Sequence, residues 1–272
     1  MIYCLYLSYE DDTSKLKGDL SKLGRFLNGI GEYKIIFIDN YNEYGEGGRI
    51  DATESVLELA GDNSFLDFSG WNSGINYLKE QGLSDKDYFL FVNDTFNKNH
   101  FFSFFTAYIY KSRFAKFKDS KGAFILGGRH EAAEDFEVNG KKLNSWIASY
   151  FFFMNYKALQ VIDFSTSSIL YDSVRINDAI TFSGNLVNPA LSKHISNWLM
   201  PKEQEQGWYK AGKVNNKFLR KKAVSILNEK LLSGSVLQQN GFLFDVYSGF
   251  VGRVVKKIDI QLYRLRKNFR LF

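Results

Sequence analysis

Three short apolar runs, each closing in polar residues, constrain this chain more than any other feature. Residues 2–9 (IYCLYLSY), 34–40 (KIIFIDN) and 88–93 (YFLFVN) have the length and the apolar, aromatic and β-branched content of buried strands. Between the first two, Leu16, Leu20, Leu23, Leu27 and Ile30 fall at three- and four-residue spacing. That stripe predicts a helix, with Thr13 as its cap and Gly29 and Gly31 as its stop. Strand, helix, strand is the opening of a mostly parallel sheet. In open sheets of this kind ligands bind beyond the carboxyl ends of the strands. This chain places Asp39 and Asn40, Asp67, and Asn93 and Asp94 at such ends. Polar residues there either meet a ligand or cap the helices that follow.

The rest of the pattern is read more coarsely. A short helix is expected over 53–59, a strand end at 65–68 and a helix over 71–82. A long aromatic helix is expected over 101–117, a strand over 122–129, a second buried strand over 146–154 and a short helix over 155–161. Residues 163–213 give no clear order. A helix follows over 216–239, interrupted near Ser233 and Gly234, then a last strand over 242–246. The phenylalanine-rich stretches 101–105 and 151–153 are both assigned to the core.

A chain of 272 residues with 45% hydrophobic residues can bury a substantial core in one large α/β domain. Cys4 is the only cysteine, which excludes an intrachain disulfide and a cysteine framework for zinc. The opening MIYCLYLSYEDD lacks a basic leader and reads as a first strand, not as a signal peptide. No apolar run approaches the roughly 18 residues that a membrane-spanning helix needs.

Charge is concentrated at one end. Residues 250–272 carry seven basic side chains (Arg253, Lys256, Lys257, Arg264, Arg266, Lys267, Arg270) against Asp259 alone. That exceeds the net charge of +5 for the whole chain, so residues 1–249 are close to neutral. A nucleic-acid-binding surface spread over the body is therefore not expected. In the tail Val251, Val254, Val255, Ile258, Leu262, Leu265 and Phe269 fall on one helical face, with the basic residues largely on the remainder. A cationic amphipathic helix either lies in the interface of an anionic membrane or packs on the body or a partner. The domain boundaries follow: residues 1–248 form the α/β domain and 249–272 the basic amphipathic helix.

Four stretches, in this order, resemble the GT-A glycosyltransferases, especially the large inverting family that builds bacterial polysaccharides. IIFIDN at 35–40 looks like the strand whose terminal Asp meets the nucleotide. SGWNSGIN at 69–76 looks like the turn opening a helix under it. YFLFVNDT at 88–95 looks like the strand ending in the metal-binding acidic motif. EKLLSGSVLQQNG at 229–241 looks like the helix that supplies the catalytic base. The resemblance spans about residues 1–245 and departs from the family twice. The acidic triplet is Val92-Asn93-Asp94, with one carboxylate where two are usual, and Glu229 is followed by Lys230 instead of Asp.

What the resemblance implies is a GT-A, Rossmann-like nucleotide-sugar-binding domain that transfers sugar to a growing, lipid-linked glycan. The implied place is the cytoplasmic face of a bacterial membrane. Asp94 would hold Mg²⁺ or Mn²⁺ against the donor diphosphate, a Lewis acid for the leaving group. Asn93 would ligate the ion through its amide oxygen or hold a ribose hydroxyl. Asp39, Asn40, Asp67, Ser69, Gly70 and Asn72 would line the donor, Gly70 by letting backbone approach it and Asn72 by contact or as a cap. Glu229 is the first candidate for the general base, with Glu131, Glu134 and Asp135 behind it. His130, Glu131, Trp198, Trp208 and Tyr209 are candidates for an acceptor cleft, because sugars stack on rings; core packing is the alternative for the aromatics. Two rivals remain. A catalytically inactive GT-A module would scaffold a membrane complex. A sugar-phosphate nucleotidyltransferase would show a glycine-rich basic loop after the first strand, where this chain reads SYEDDT.

Overall fold

Buried apolar residues at almost every position make β1 (Ile2–Ser8) a central strand, and α1 (Thr13–Asn28) returns the chain to β2 (Tyr33–Asp39). Asp12, one residue before the expected Thr13, caps α1 by accepting from the N–H groups of Ser14 and Lys15. The computed structural model describes all residues except 42–47, 51–52, 99, 164–165, 203–206, 209 and 270–272, with 266–269 described as backbone only.

The remaining strands are β3 (Val56–Ala60), β4 (Tyr88–Asn93), β5 (Phe124–Val138), β6 (Lys141–Asn155), β7 (Val174–Ile176), β8 (Ile180–Phe182) and β9 (Phe242–Asp245). The helices are α2 (Asp67–Glu80), α3 (Phe104–Phe117), α4 (Tyr156–Val161), α5 (Ser167–Ser173), α6 (Pro189–Leu199), α7 (Asn216–Gln238) and α8 (Gly249–Phe269). Seven strands form one mixed, mostly parallel sheet in the order β3-β2-β1-β4-β6-β5-β9, and β7 and β8 form a separate pair. Among the described strands of the seven-stranded sheet, β6 alone runs against its neighbours. The cause is local: Asn139 and Gly140, at φ 49° and 74°, close a two-residue hairpin between β5 and β6.

Apolar residues cover both faces. On one face Leu23 of α1 and Val255 of α8 pack with Tyr6, Phe37 and Phe151 of the sheet; on the other Trp71 of α2 packs with Leu5, Ile38, Phe91 and Phe152. Trp71 is wholly buried, edge-on to Phe68, Phe91 and Phe152 at 5.3, 5.4 and 5.8 Å. A third cluster packs the far half of the β5–β6 hairpin against α5, α6 and α7.

The structure corrects several expectations. Residues 56–60 form strand β3, not a helix, because a parallel partner at the edge of β2 outweighs local propensity. Residues 65–68 are not a strand end: Leu66 turns at φ 61° and α2 begins at Asp67. The strand expected over 122–129 runs on to Val138, since its hairpin partner supplies the missing hydrogen bonds. Helix α7 passes through Ser233 and Gly234 unbroken. There the Ser233 hydroxyl accepts from the Ile147 N–H at 3.0 Å, and Gly234 lets the helix lie against Lys141. These small residues serve close approach, not a stop. Residues 151–153 are buried as expected, but Phe104 and Phe105 are exposed.

Candidate functional site

Strand order reverses between β1 and β4: the chain builds outward from β1 to β2 and β3, then returns to the other side of β1. In open α/β sheets this switch point opens a crevice at the carboxyl edge. Tyr9 and Glu10 follow β1 there, Asn93 closes β4 and Asp94 follows it. Asp67 lies beside them, because α2 begins at that edge.

These residues form a connected set. Asn93 Nδ2 donates to Asp67 Oδ2 at 3.1 Å, and Asn93 Oδ1 accepts from Thr95 N and Thr95 Oγ1 at 3.1 and 2.6 Å. The Tyr9 hydroxyl accepts from Asn40 Nδ2 at 3.2 Å and also bonds to the Asp67 carboxylate. Burial raises the pKa of Asp67, against the opposing pull of Lys222 and of its hydrogen bonds to Asn93 and Tyr9. Burial, then the charge of Asp67, pushes Asp94 up to about 6, although Lys98 lies 3.9 Å from its carboxylate. Two neighbouring carboxyls thus resist ionisation.

Asp39 is buried and pinned: its Oδ1 accepts from Arg49 Nη1 and from the Tyr41 N–H, both at 2.9 Å. Arg49 in turn lies 5.0 Å over the Tyr41 ring and donates to the Glu10 carbonyl at 2.6 Å. In this arrangement Asp39 positions Arg49 and Tyr41 at the crevice rather than standing open to a base.

Other expected donor residues hold the protein's own frame. Ser69 Oγ accepts from Phe65 N at 2.9 Å and donates to the Asp62 carbonyl at 2.5 Å, clamping the loop before α2. Gly70 leaves room for Leu7 and for Asn40, whose Oδ1 would lie 2.8 Å from an added Cβ, so the close approach is internal. Asn72 sits in the second turn of α2, half-buried, and is not its cap. Asn93 has both ends of its amide engaged, and this leaves Asp94 as the candidate ion ligand of the triplet.

Helix α7, which packs on β6 and touches α2, carries Glu229. Glu229 Oε2 accepts from the Ser149 N–H at 2.8 Å, and Oε1 pairs with Lys230 Nζ at 2.7 Å. Burial would raise the Glu229 pKa, but Lys230 and Ser149 outweigh it and hold the carboxyl low. Lys230 is 2% exposed and its ammonium stands 3.7 Å over the Trp146 ring. His130 stacks on the same ring at 5.7 Å, and His194 meets it edge-on at 5.8 Å.

Of the acceptor candidates, His130 therefore joins the Glu229 cluster. Glu131 faces outward on β5, 3.5 Å from Arg129, and Glu134 and Asp135 are likewise exposed on that strand. Trp208 is a core residue stacked on Phe218 at 6.0 Å, not a cleft wall. Trp198 is exposed on α6, and Tyr209 lies outside the described residues. Tyr9, Glu10, Arg49, Lys222, Trp146 and Lys230 were not singled out in the sequence as site residues. The Glu229-Lys230 dipeptide was the available signal for the last.

Neither a family model, nor a curated protein, nor a solved structure matches this chain.

The donor set suits a hard divalent cation: Asp94 is a desolvated carboxyl beside a second carboxyl, and a bound cation would favour its charged form. Among the described residues no three His, Cys, Asp or Glu side chains gather closely enough to cage an ion alone. An ion bridging a diphosphate takes most of its oxygens from phosphate and water. Among the described residues no helix is long and apolar enough to cross a membrane.

Proposed function

We propose that this chain is a GT-A-type, inverting glycosyltransferase that moves a sugar from a nucleotide donor to a growing, lipid-linked bacterial glycan. The observation that carries the reading is the placement of the Asp67–Asn93–Asp94 set at the β1/β4 switch point. A crevice with acidic side chains at a parallel-sheet edge suits a diphosphate only with a neutralising cation. Mg²⁺ or Mn²⁺ held by Asp94 would supply that charge and stabilise the leaving diphosphate.

The protein's own residues account for the rest. Arg49 and Tyr41 face the nucleoside side of the crevice, and Lys222 offers a cation near Asp67 for phosphate. An acceptor hydroxyl attacks the anomeric carbon as the sugar–phosphate bond breaks, and its proton passes to a Glu229 oxygen. Lys230 and Ser149 keep that carboxylate ionised and oriented. Trp146 is a core ring that seats Lys230 and His130 behind the base, and exposed His130 is the ring nearest to an acceptor. The enzyme would work as a peripheral protein on the inner face of the membrane, held there through residues 250–272.

An inactive scaffolding module is the second reading, favoured by the single carboxylate of the 92–94 triplet. The deciding experiment is turnover of UDP-, GDP- and dTDP-sugars with Mn²⁺, reading released nucleoside diphosphate. Donor-dependent release that vanishes in Asp94→Ala supports the enzyme. Binding without release in every case supports the scaffold.

A further inference from the structure

Helix α8 does not hang free. Among the described residues of α8, Gly252, Val255 and Asp259 are buried, and Val255 joins the core with residues of α1 and α3. Asp259 bonds to the Thr106 hydroxyl in the first turn of α3, and the two helices touch. A carboxylate at the amino end of α3 is well placed against that helix dipole. The consequence is a fixed geometry: α8 lies beside the turn that carries Phe104, Phe105 and Tyr108.

Those three rings face solvent, at 81%, 48% and 63% exposure. They follow Ser103, whose hydroxyl caps the helix, so they stand on a rigid turn. Helix α8 also keeps apolar residues open: Phe250, Val251 and Val254 near its start, which lies by Arg113 of α3, and Ile260 and Leu265 beyond the Asp259–Thr106 contact. Arg253, Lys256, Lys257 and Arg264 are exposed on the same helix, and its one acid, Asp259, is turned inward. Helix α3 contains Lys111, Arg113 and Lys116 and no acid at all. Clustered exposed rings mark an interaction surface. Rings and aliphatics flanked only by cations fit an anionic lipid surface by charge, with the apolar groups entering the acyl boundary.

We propose that α3 and α8 together form one membrane-docking face, in which Phe104, Phe105 and Tyr108 are the inserted anchor and the α8 basic residues are the electrostatic clamp. This deepens the peripheral-membrane reading of the tail and is independent of sugar transfer. Because α3 begins at the carboxyl edge of β4, the anchor lies on the edge where the candidate donor site opens. A lipid-borne acceptor would then be presented toward that site.

The test uses the full chain and vesicles of neutral phosphatidylcholine, with and without 30% anionic phosphatidylglycerol, a composition of roughly the anionic content that polybasic clamps answer to. Binding is expected to the anionic vesicles and to weaken between low and high salt. The pair Phe104→Ala, Phe105→Ala should lower the partition coefficient about tenfold, with an unchanged thermal transition because both rings are exposed. Arg253→Gln with Lys256→Gln and Lys257→Gln should lower it about 100-fold and flatten the salt dependence. Phe104→Trp should show blue-shifted emission on anionic vesicles. Four results overturn the proposal, the last of them separable from the enzyme reading. The first is wild-type binding that the Phe104, Phe105 pair leaves unchanged. The second is Trp emission unshifted in the bound state. The third is a wild-type protein that ignores vesicles and instead self-associates through these rings, with the paired variant monomeric. Sugar turnover without vesicle binding would sink the docking face and leave the enzyme reading intact.

Discussion

Asp94 carries a conflict between burial and charge. Its pKa is pushed up to about 6 from 3.8, so its contribution to stability is fully present below pH 3.8 and is lost as pH rises through 6. The loss amounts to roughly 3 kcal/mol for a shift of this size, since each pKa unit is worth about 1.4 kcal/mol. Asp94→Asn should therefore raise the melting temperature of the ligand-free protein at pH 7.5 and flatten its stability between pH 4 and 6. The same variant should lose the Mn²⁺-dependent part of donor affinity, measured by calorimetry. Glu229 presents the opposite balance. Its counter-ion Lys230 holds it ionised, so Glu229→Gln should reduce kcat by about 10²–10⁴-fold with donor binding retained. Lys230→Met leaves that carboxylate buried without its partner. It should cost about 3 kcal/mol of stability and move the acidic limb of the pH–rate profile upward, a shift that a purely structural role would not produce.

Elements differ in how their ends are fixed. Helices α1, α3, α4, α6 and α7 carry side-chain caps from Asp12, Ser103, Asn155, Asn188 and Asn215. Helix α2 has none, and enters through Leu66 at φ 61°, a conformation an L side chain rarely adopts. Such strain concentrates at functional sites, and Asp67 is the next residue. The turn is held by the Ser69 clamp and by the seat of Gly70 against Leu7 and Asn40. Gly70→Ala should therefore destabilise the protein by about 1–3 kcal/mol, read from denaturant midpoints. It should also displace Asn40 from Tyr9 and weaken donor binding. On the other side of the site, Asn139 and Gly140 set the register of the hairpin that holds Trp146 beside Lys230. At φ 74°, Gly140→Ala should lower stability by about 1 kcal/mol.

Across the whole molecule, the sheet core and the cluster under the hairpin meet where α7 crosses β6, and Glu229 lies at that junction. Its two oxygens bind one partner on β6 and one on α7 itself, so packing of the second half decides its aim toward the first. A donor bridging the crevice should stabilise the folded state as a unit. At about 100 times Kd the gain is about 2.7 kcal/mol, which for a chain of this size is a rise of roughly 5–10 °C in Tm. The scan should show that rise with a matched nucleotide sugar and Mn²⁺, and lose most of it in Asp94→Ala. A full-sized shift in Asp94→Ala would place the donor elsewhere.

Local physics made β1, α1, β2 and β4 legible. Apolar runs of strand length with a helical stripe between them allow few arrangements, and polar residues at strand ends sit at the carboxyl edge whatever the loops do. The helix of the tail was also legible, because its period belongs to the segment itself, but which of its apolar residues are covered was not: Val255 is buried while Val251, Val254 and Leu265 are exposed. The Asn139-Gly140 pair is itself a hairpin signal, and the hairpin it closes extends β5 through Glu134 and Asp135 to Val138. The other differences were decided by contacts between distant residues. Segment 56–60 is a strand because β2 offers it an edge, and Ser233 and Gly234 permit close packing that no local pattern announces. Phe102, in the loop before α3, is buried against Phe26 and Phe151, whereas Phe104, in the first turn of α3, is exposed. Asn93 spends its amide on Asp67, 26 residues away, and Glu229 is anchored by Ser149, 80 residues away. Sequence fixes which groups a residue offers. Tertiary structure decides which are already taken, because burial and hydrogen bonding depend on neighbours that only the folded chain brings within reach.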